Sequence, residues 1–234
     1  MKAVLMVMHA RSIPSVLAAI ASLKIPKVWF KGFTETQLAT EIPRFIGSTR
    51  FDRYVLFGDD SIPTQAALDK ILVASERLEA VTGWANLSPS VPLATVSLVP
   101  NPPWHRITKS LPAFVGHGVR VLKDRGVPPL AQVHGGVVRL TFPPIETIRR
   151  QPPIFRTYFV SWSLTSLSRR LWLEHPFRYP VGLGSSYGSD VAMSDDLNDA
   201  EVKMWCCRDA FVYHLHSKQG FLVGKVKPEV IIEA

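Results

Sequence analysis

The chain has 234 residues, 47% of them hydrophobic, which is enough for a core of domain size and excludes intrinsic disorder. Its formal charge is +8, and the excess is local: residues 101–180 hold 12 lysines and arginines against 3 acidic residues, whereas residues 181–234 hold 5 against 8. Such a basic stretch suits a phosphate-bearing substrate, an anionic membrane surface or nucleic acid, and a solvated face that keeps the protein soluble explains it equally well.

Residues 3–8 form a short apolar run. It resembles the start of a signal peptide, but His9 and Arg11 cut it short and Pro14 follows, so a buried first strand is expected. Ser12, Ile13 and Pro14 then offer a cap and an early-helix proline to a helix over residues 15–23. The longest largely apolar stretch, residues 16–23, interrupted only by Ser22, falls short of the roughly 18 residues that cross a bilayer. Residues 28–33 read as a second strand, residues 36–42 as a short helix, and residues 54–57 as a third strand. Pro63 and Thr64 open a helix running through Leu78. Apolar strands separated by helices predict a mostly parallel sheet, whose ligand sites lie beyond the carboxyl ends of the strands.

From about residue 81 to 155 the pattern changes to strand-like runs (94–99, 136–142) punctuated by proline pairs at 102–103, 128–129, 143–144 and 152–153. These read as a small region of strands and loops attached to the sheet. Residues 158–164 then predict a strand, residues 166–174 a helix exposing Arg169 and Arg170, and residues 182–188 a Gly/Ser loop that approaches something closely or moves. A helix over 190–201 and strands over 202–207 and 211–214 complete the reading. With no repeat and no flexible linker, the expectation is a single α/β domain. The only cysteines, Cys206 and Cys207, are adjacent, which suits neither an ordinary disulfide nor a zinc site. A reducing, cytoplasmic environment is the expectation.

Three places carry candidate chemistry. The apolar strand at 54–57 delivers Asp59 and Asp60 into a loop before a helix. Adjacent carboxylates repel, so a fixed pair is most comfortable on a divalent cation or on hydrogen-bond donors; the plain alternative is one helix cap and one solvated acid. Asp190 stands where the Gly/Ser loop meets a helix, as a cap or as a general base, with Asp195, Asp196 and Asp199 on the following turns. His214 and His216, one residue apart on a strand, share a face and suit either metal ligation or packing as neutral imidazoles.

In its order of motifs the chain resembles the GT-A-type nucleotide-sugar glycosyltransferases, particularly the family 2-like ones. Residues 57–63, Phe-Gly-Asp-Asp-Ser-Ile-Pro, are similar to the family's end-of-strand Asp-X-Asp element. In that register Asp60 matches the final, metal-binding Asp, and Gly58 stands where the first Asp is usual, with Asp59 able to compensate. Residues 162–177, with Arg169, Arg170 and Pro176-Phe177, resemble the segment leading to the acceptor loop. Ser189-Asp190 occupies the place of the Glu-Asp pair, and residues 209–214 resemble the terminal strand whose histidine reaches the metal.

The resemblance implies a GT-A-like α/β domain with a Rossmann-like, mostly parallel sheet. Residues 1–90 would form its nucleotide-sugar half and residues 91–234 its acceptor-binding and catalytic half. The nucleotide falls to His9, Ala10, Arg11 and Asp59, Mn2+ or Mg2+ to Asp60 and His214, and the general base to Asp190, with Asp196 the runner-up. The reaction implied is transfer of a sugar from a nucleoside-diphosphate sugar to a hydroxyl, with inversion. The acceptor is a glycan, a lipid-linked sugar or another anionic molecule, met in the cytoplasm or in peripheral contact with the inner face of a membrane; nucleic acid is a less favoured partner. Two alternatives remain: a catalytically silent GT-A-like module binding nucleic acid or a protein partner through the basic face, and a nucleotidyltransferase, for which residues 9–12 make a poor phosphate loop.

Overall fold

The computed structural model describes residues 1–89, 91–98, 133–134, 137–138, 142–179, 189–215 and 220–233. At its centre β1 (Ala3–His9) lies between β2 (Lys27–Lys31) and β3 (Arg53–Gly58), parallel to both. The crossovers are α1 (Pro14–Ala21) and α2 (Glu35–Ser48). After β3 come β4 (Ser61–Ile62), α3 (Gln65–Ser75), β5 (Ala80–Ser88) and β6 (Val91–Ala94), then a two-stranded antiparallel pair, β7 (Val133–His134) and β8 (Val137–Val138). The rest of the chain supplies α4 (Ile145–Arg149), β9 (Ile154–Thr157), β10 (Thr165–Ser168), α5 (Arg169–Glu174), α6 (Ser189–Asp199), β11 (Met204–His214) and β12 (Glu229–Glu233).

The main sheet runs β12-β2-β1-β3-β10-β5-β11-β4, with β6 paired to β5 and β9 to β11. β10 is antiparallel to both its neighbours, and β11 is parallel to β5; β1, β2, β3, β5 and β11 therefore share one direction, as the alternation of strands and helices predicts. Successive side chains of a strand face opposite sides. Val4, Met6, Tyr54 and Leu56 accordingly enter a core beneath α2, α5 and α6, while Leu5, Val7, Val55 and Phe57 enter a second core with α1 and α3. Burial on both faces explains why these strands read as continuous apolar runs.

α2 begins at a capping box: Thr34 accepts from the Gln37 amide while the Gln37 side chain accepts from the Thr34 amide. Sequence reading ends this helix at residue 42, before Pro43, yet it continues to Ser48. Phe45 and Ile46 are buried on the same face as Leu38 and Ile42. Burying two such side chains contributes about 3–6 kcal/mol, which offsets the roughly 3 kcal/mol cost of an interior proline.

The larger departure lies at residues 158–168. The predicted strand at 158–164 is irregular chain, Leu164 takes a left-handed φ of 62°, and the strand comes later, at Thr165–Ser168, where a helix is predicted from residue 166. Tertiary partners decide this. The Thr165 hydroxyl lies 2.8 Å from that of Thr82, and Ser75 donates to the Ser166 hydroxyl at 2.9 Å, so buried hydroxyl pairs tie β10 to β5 and to α3. α5 then starts at Arg169 because the Ser168 hydroxyl accepts from the Leu171 amide. The two predicted strands at 202–207 and 211–214 are one strand, β11, whose register shifts between Cys206 and Phe211. Gly83 of β5 passes so near this irregularity that a Cβ would stand 2.6 Å from the Ala210 carbonyl oxygen and 2.7 Å from that of Ser163. β12, which the sequence reading does not anticipate, closes the edge beside β2. Among the described residues no helix is long and apolar enough to cross a membrane.

Candidate functional site

A cleft of about 690 Å3 opens beyond the carboxyl ends of β1 and β3. Its floor is the turn after β3, where Asp59 is buried (1% exposed) and Asp60 is 20% exposed. The turn is fastened from two sides. The Arg11 amide donates to Asp59 Oδ2, and the Leu215 amide donates to the Asp60 carbonyl at 2.8 Å. The Arg11 guanidinium spans the pair, with Nη1 3.0 Å from Asp59 Oδ1 and 3.2 Å from Asp60 Oδ2. Burial pushes the Asp59 carboxyl up to about 6 against the pull of the Arg11 amide and guanidinium.

His214 ends β11 at this point. Asn86 brackets its backbone, accepting from its amide at 2.8 Å and donating to its carbonyl at 2.9 Å. Its Nδ1 is 3.1 Å from the Leu87 carbonyl and its Nε2 is 3.2 Å from Asp60 Oδ2. Burial alone lowers the imidazole and raises the carboxyl, but their mutual contact outweighs it; His214 ends above and Asp60 below its ordinary value. A backbone carbonyl on Nδ1 is the contact that commonly orients a metal-binding imidazole through its other nitrogen. One carboxylate and one imidazole, completed by phosphate oxygens and water, form a donor set that manganese or magnesium accepts. The residues therefore fit such an ion as part of a substrate complex; among the described residues no three acidic, histidine or cysteine side chains converge to hold one unaided.

Asp190 faces the same cleft from the first turn of α6. The helix start is anchored by the Trp162 indole, which donates to the Ser189 hydroxyl at 2.9 Å and stacks on Trp172 with ring centroids 6.3 Å apart. Further along, the Ser194 hydroxyl bridges the Asp190 carbonyl and the Val160 amide. Asp190 Oδ1 accepts from the Val191 amide, yet burial still pushes its carboxyl up to about 6.

Of the residues singled out from the sequence, Ala10, Arg11, Asp59, Asp60, Asp190 and His214 all line this cleft. His9 does not: its ring packs on Trp29, 5.3 Å between centroids, and burial with the nearby Lys31 lowers its pKa. Nor does Asp196, which Arg178 holds with two hydrogen bonds of 2.7 Å. Arg169 and Arg170 serve the scaffold, on the Thr49 and Gly47 carbonyls and on Glu79 and Glu174 respectively. Cys206 and Cys207 are buried free thiols. The Gly/Ser loop at 182–188, His216 and the part of the basic stretch up to residue 132 lie outside the described residues.

The cleft also contains residues that sequence reasoning missed. Glu35, in the first turn of α2, carries a raised pKa from burial and from Asp190, partly countered by Arg11. Phe221 and Val223 arrive from the segment after β11. This strap crosses the turn after β1: the Ser12 amide donates to the Gly220 carbonyl and the Leu222 amide to the Ala10 carbonyl, both at 2.8 Å. Gly220 takes φ 73°, and a Cβ there would stand 2.7 Å from the Ser12 carbonyl oxygen, so no larger residue fits. Such an N-terminal-turn acid and a lone Gly-Phe are too common in sequences to signal a site.

Comparison with known proteins supports the fold. No family model and no curated protein matches the sequence. Among solved structures the chain is similar to A197 from STIV, with a TM-score of 0.53 at 11% identity, covering 100% of this chain and 95% of that one. It is also similar to GalNAc-T7, whose structure holds UDP, GalNAc and Mn2+, with a TM-score of 0.52 at 9% identity. That match covers 94% of this chain but 44% of GalNAc-T7. At such identities the likeness is one of fold: a mixed α/β structure with a mostly parallel central sheet flanked by helices, shared with a GT-A glycosyltransferase.

Proposed function

We propose that the protein is a glycosyltransferase that moves a sugar from a nucleoside-diphosphate sugar to a hydroxyl acceptor, with inversion. The observation that carries this reading is the convergence of the Asp59–Asp60 turn, His214 and Asp190 on one cleft at the carboxyl ends of parallel strands, in a fold shared with a protein that holds UDP, GalNAc and Mn2+. Asp60 and His214 are the residues that would hold Mn2+ or Mg2+, which supplies positive charge to the departing diphosphate. Asp59 and Arg11 fix the turn that presents Asp60. Asp190 takes the proton from the acceptor hydroxyl, whose oxygen attacks the anomeric carbon from the face opposite the diphosphate. Apolar walls that include Phe33, Phe159 and Trp162 offer surfaces for sugar or base rings and keep water from the donor.

Residues 1–90 form the donor half in this reading, and the remainder brings Asp190 and the acceptor. The acceptor is a glycan or lipid-linked sugar, drawn by the basic stretch at 101–180, and buried free thiols suit a cytoplasmic protein at or near the inner face of a membrane. The test is a calorimetric titration with a panel of nucleoside diphosphates, with and without Mn2+. Metal-dependent binding of one of them, lost in Asp60→Ala, is expected. A folded protein that binds none favours the silent module instead.

A further inference from the structure

We propose that Arg11 is an exchangeable counter-ion: in the free protein its guanidinium sits across the Asp59–Asp60 pair, and on loading it leaves Asp60 to the divalent ion and turns its free donors to the diphosphate. The inference rests on the proposed donor site and adds to it a residue that moves.

Charge comes first. Among the described residues lining the cleft, Glu35, Asp59, Asp60 and Asp190 are carboxylates and Arg11 is the sole guanidinium or ammonium. A diphosphate entering this set meets net repulsion unless positive charge arrives with it. Asp60 Oδ2 already has Arg11 and His214 at 3.2 Å each. Arg11 and a divalent ion would therefore compete for the Asp60 carboxylate.

The two contacts of Nη1 are unequal. Asp59 is 1% exposed and takes both the Arg11 amide and Nη1, so losing the guanidinium altogether leaves a buried charge with only the backbone amide for a partner. Asp60 is 20% exposed and holds Nη1 at the longer distance, so when Arg11 withdraws its carboxylate is open to the incoming ion and to solvent. The backbone of Arg11 stays pinned by Asp59 and by the strap, leaving the side chain as the moving part. Of its donors only Nη1 is hydrogen-bonded among the described residues, and Nε is buried with no partner, an arrangement a diphosphate oxygen would complete. The Phe221 ring lies 4.9 Å from the guanidinium carbon and confines the swing to the cleft side.

The test measures Mn2+ binding to the intact protein by the electron paramagnetic resonance of the free ion, without nucleotide, and then uridine diphosphate binding at saturating Mn2+. Arg11→Gln is expected to bind Mn2+ about tenfold more tightly than wild type and uridine diphosphate about tenfold more weakly, a pair of opposite changes that loss of structure does not produce. If Arg11→Gln unfolds, the double variant Arg11→Gln/Asp59→Asn removes the stranded carboxylate and is read in the same way. Unchanged or weaker Mn2+ binding in a folded Arg11 variant, with binding abolished by Asp60→Ala, overturns the exchange and leaves the donor site standing. No Mn2+ bound by either wild type or variant, with uridine diphosphate present as well as absent, overturns both.

Discussion

Replacing Asp190 by Asn separates the general-base assignment from a structural role, because the two properties move in opposite directions. Burial pushes the Asp190 carboxyl from 3.8 up to about 6, so the folded state holds this proton more tightly than the unfolded chain does. Ionisation therefore weakens the fold as pH rises from about 4 to 6. At about 1.4 kcal/mol per unit the shift sets an upper limit near 3 kcal/mol; the carboxylate opens onto a wet cleft, and about 1–2 kcal/mol is the expected part. Asn keeps an oxygen for the Val191 amide and carries no charge. At pH 7 the variant should melt about 2–6 °C above wild type, and the gap should close below about pH 4, where both side chains are neutral. Turnover should fall about 100- to 10,000-fold, and the wild-type rate should drop roughly tenfold between pH 7 and pH 5 as the base is protonated. Differential scanning calorimetry across pH, beside a donor-consumption assay, measures both. A variant that melts lower at pH 7, or turns over like wild type, refutes the reasoning.

Asp196→Asn should leave turnover within about twofold and cost under about 1 kcal/mol, because its partner Arg178 is an exposed surface pair outside the cleft; a large kinetic loss measured in the same assay would return the base to Asp196. Gly83→Ala sets a methyl against two backbone oxygens at 2.6 and 2.7 Å. Overpacking of this kind should cost about 1–3 kcal/mol or more in urea denaturation, and an unchanged midpoint would mean that β5 and β11 can separate.

Most of the parallel half of the sheet was legible because its signal is local. Strands such as β1 and β3 are buried on both faces along their middles, so residues 4–8 and 54–57 form unbroken runs with no charged residue and announce themselves. β10 was misplaced for the opposite reason: Thr165 and Ser166 enter a strand through hydroxyl partners on Thr82 and Ser75, more than 80 residues away, and no window of sequence contains that condition. That Asp60, Asp190 and His214 meet at one cleft was legible through the order of their motifs, whereas His9 lies outside its lining: side chains alternate along a strand, and His9 turns to Trp29 while the chain beyond it brings Ala10 and Arg11 to the cleft. Glu35 and Phe221 carried no motif and are recruited by the packing of a helix start and a strap.

Net charge illustrates the same limit more sharply. A chain with formal charge +8 suggests a site that attracts phosphate, yet the described walls of the cleft present four carboxylates to one guanidinium. At Asp60 a cation acts most strongly in direct contact, since solvent screens exposed charges over a Debye length of about 8 Å. The cation that matters must stand within hydrogen-bonding distance of the phosphate oxygens. Among the described residues lining the cleft Arg11 is the one guanidinium, and it is already engaged with Asp59 and Asp60. The affinity of the cleft for an anion thus depends on how far Arg11 can be released, and that is set by the unequal burial of two adjacent aspartates.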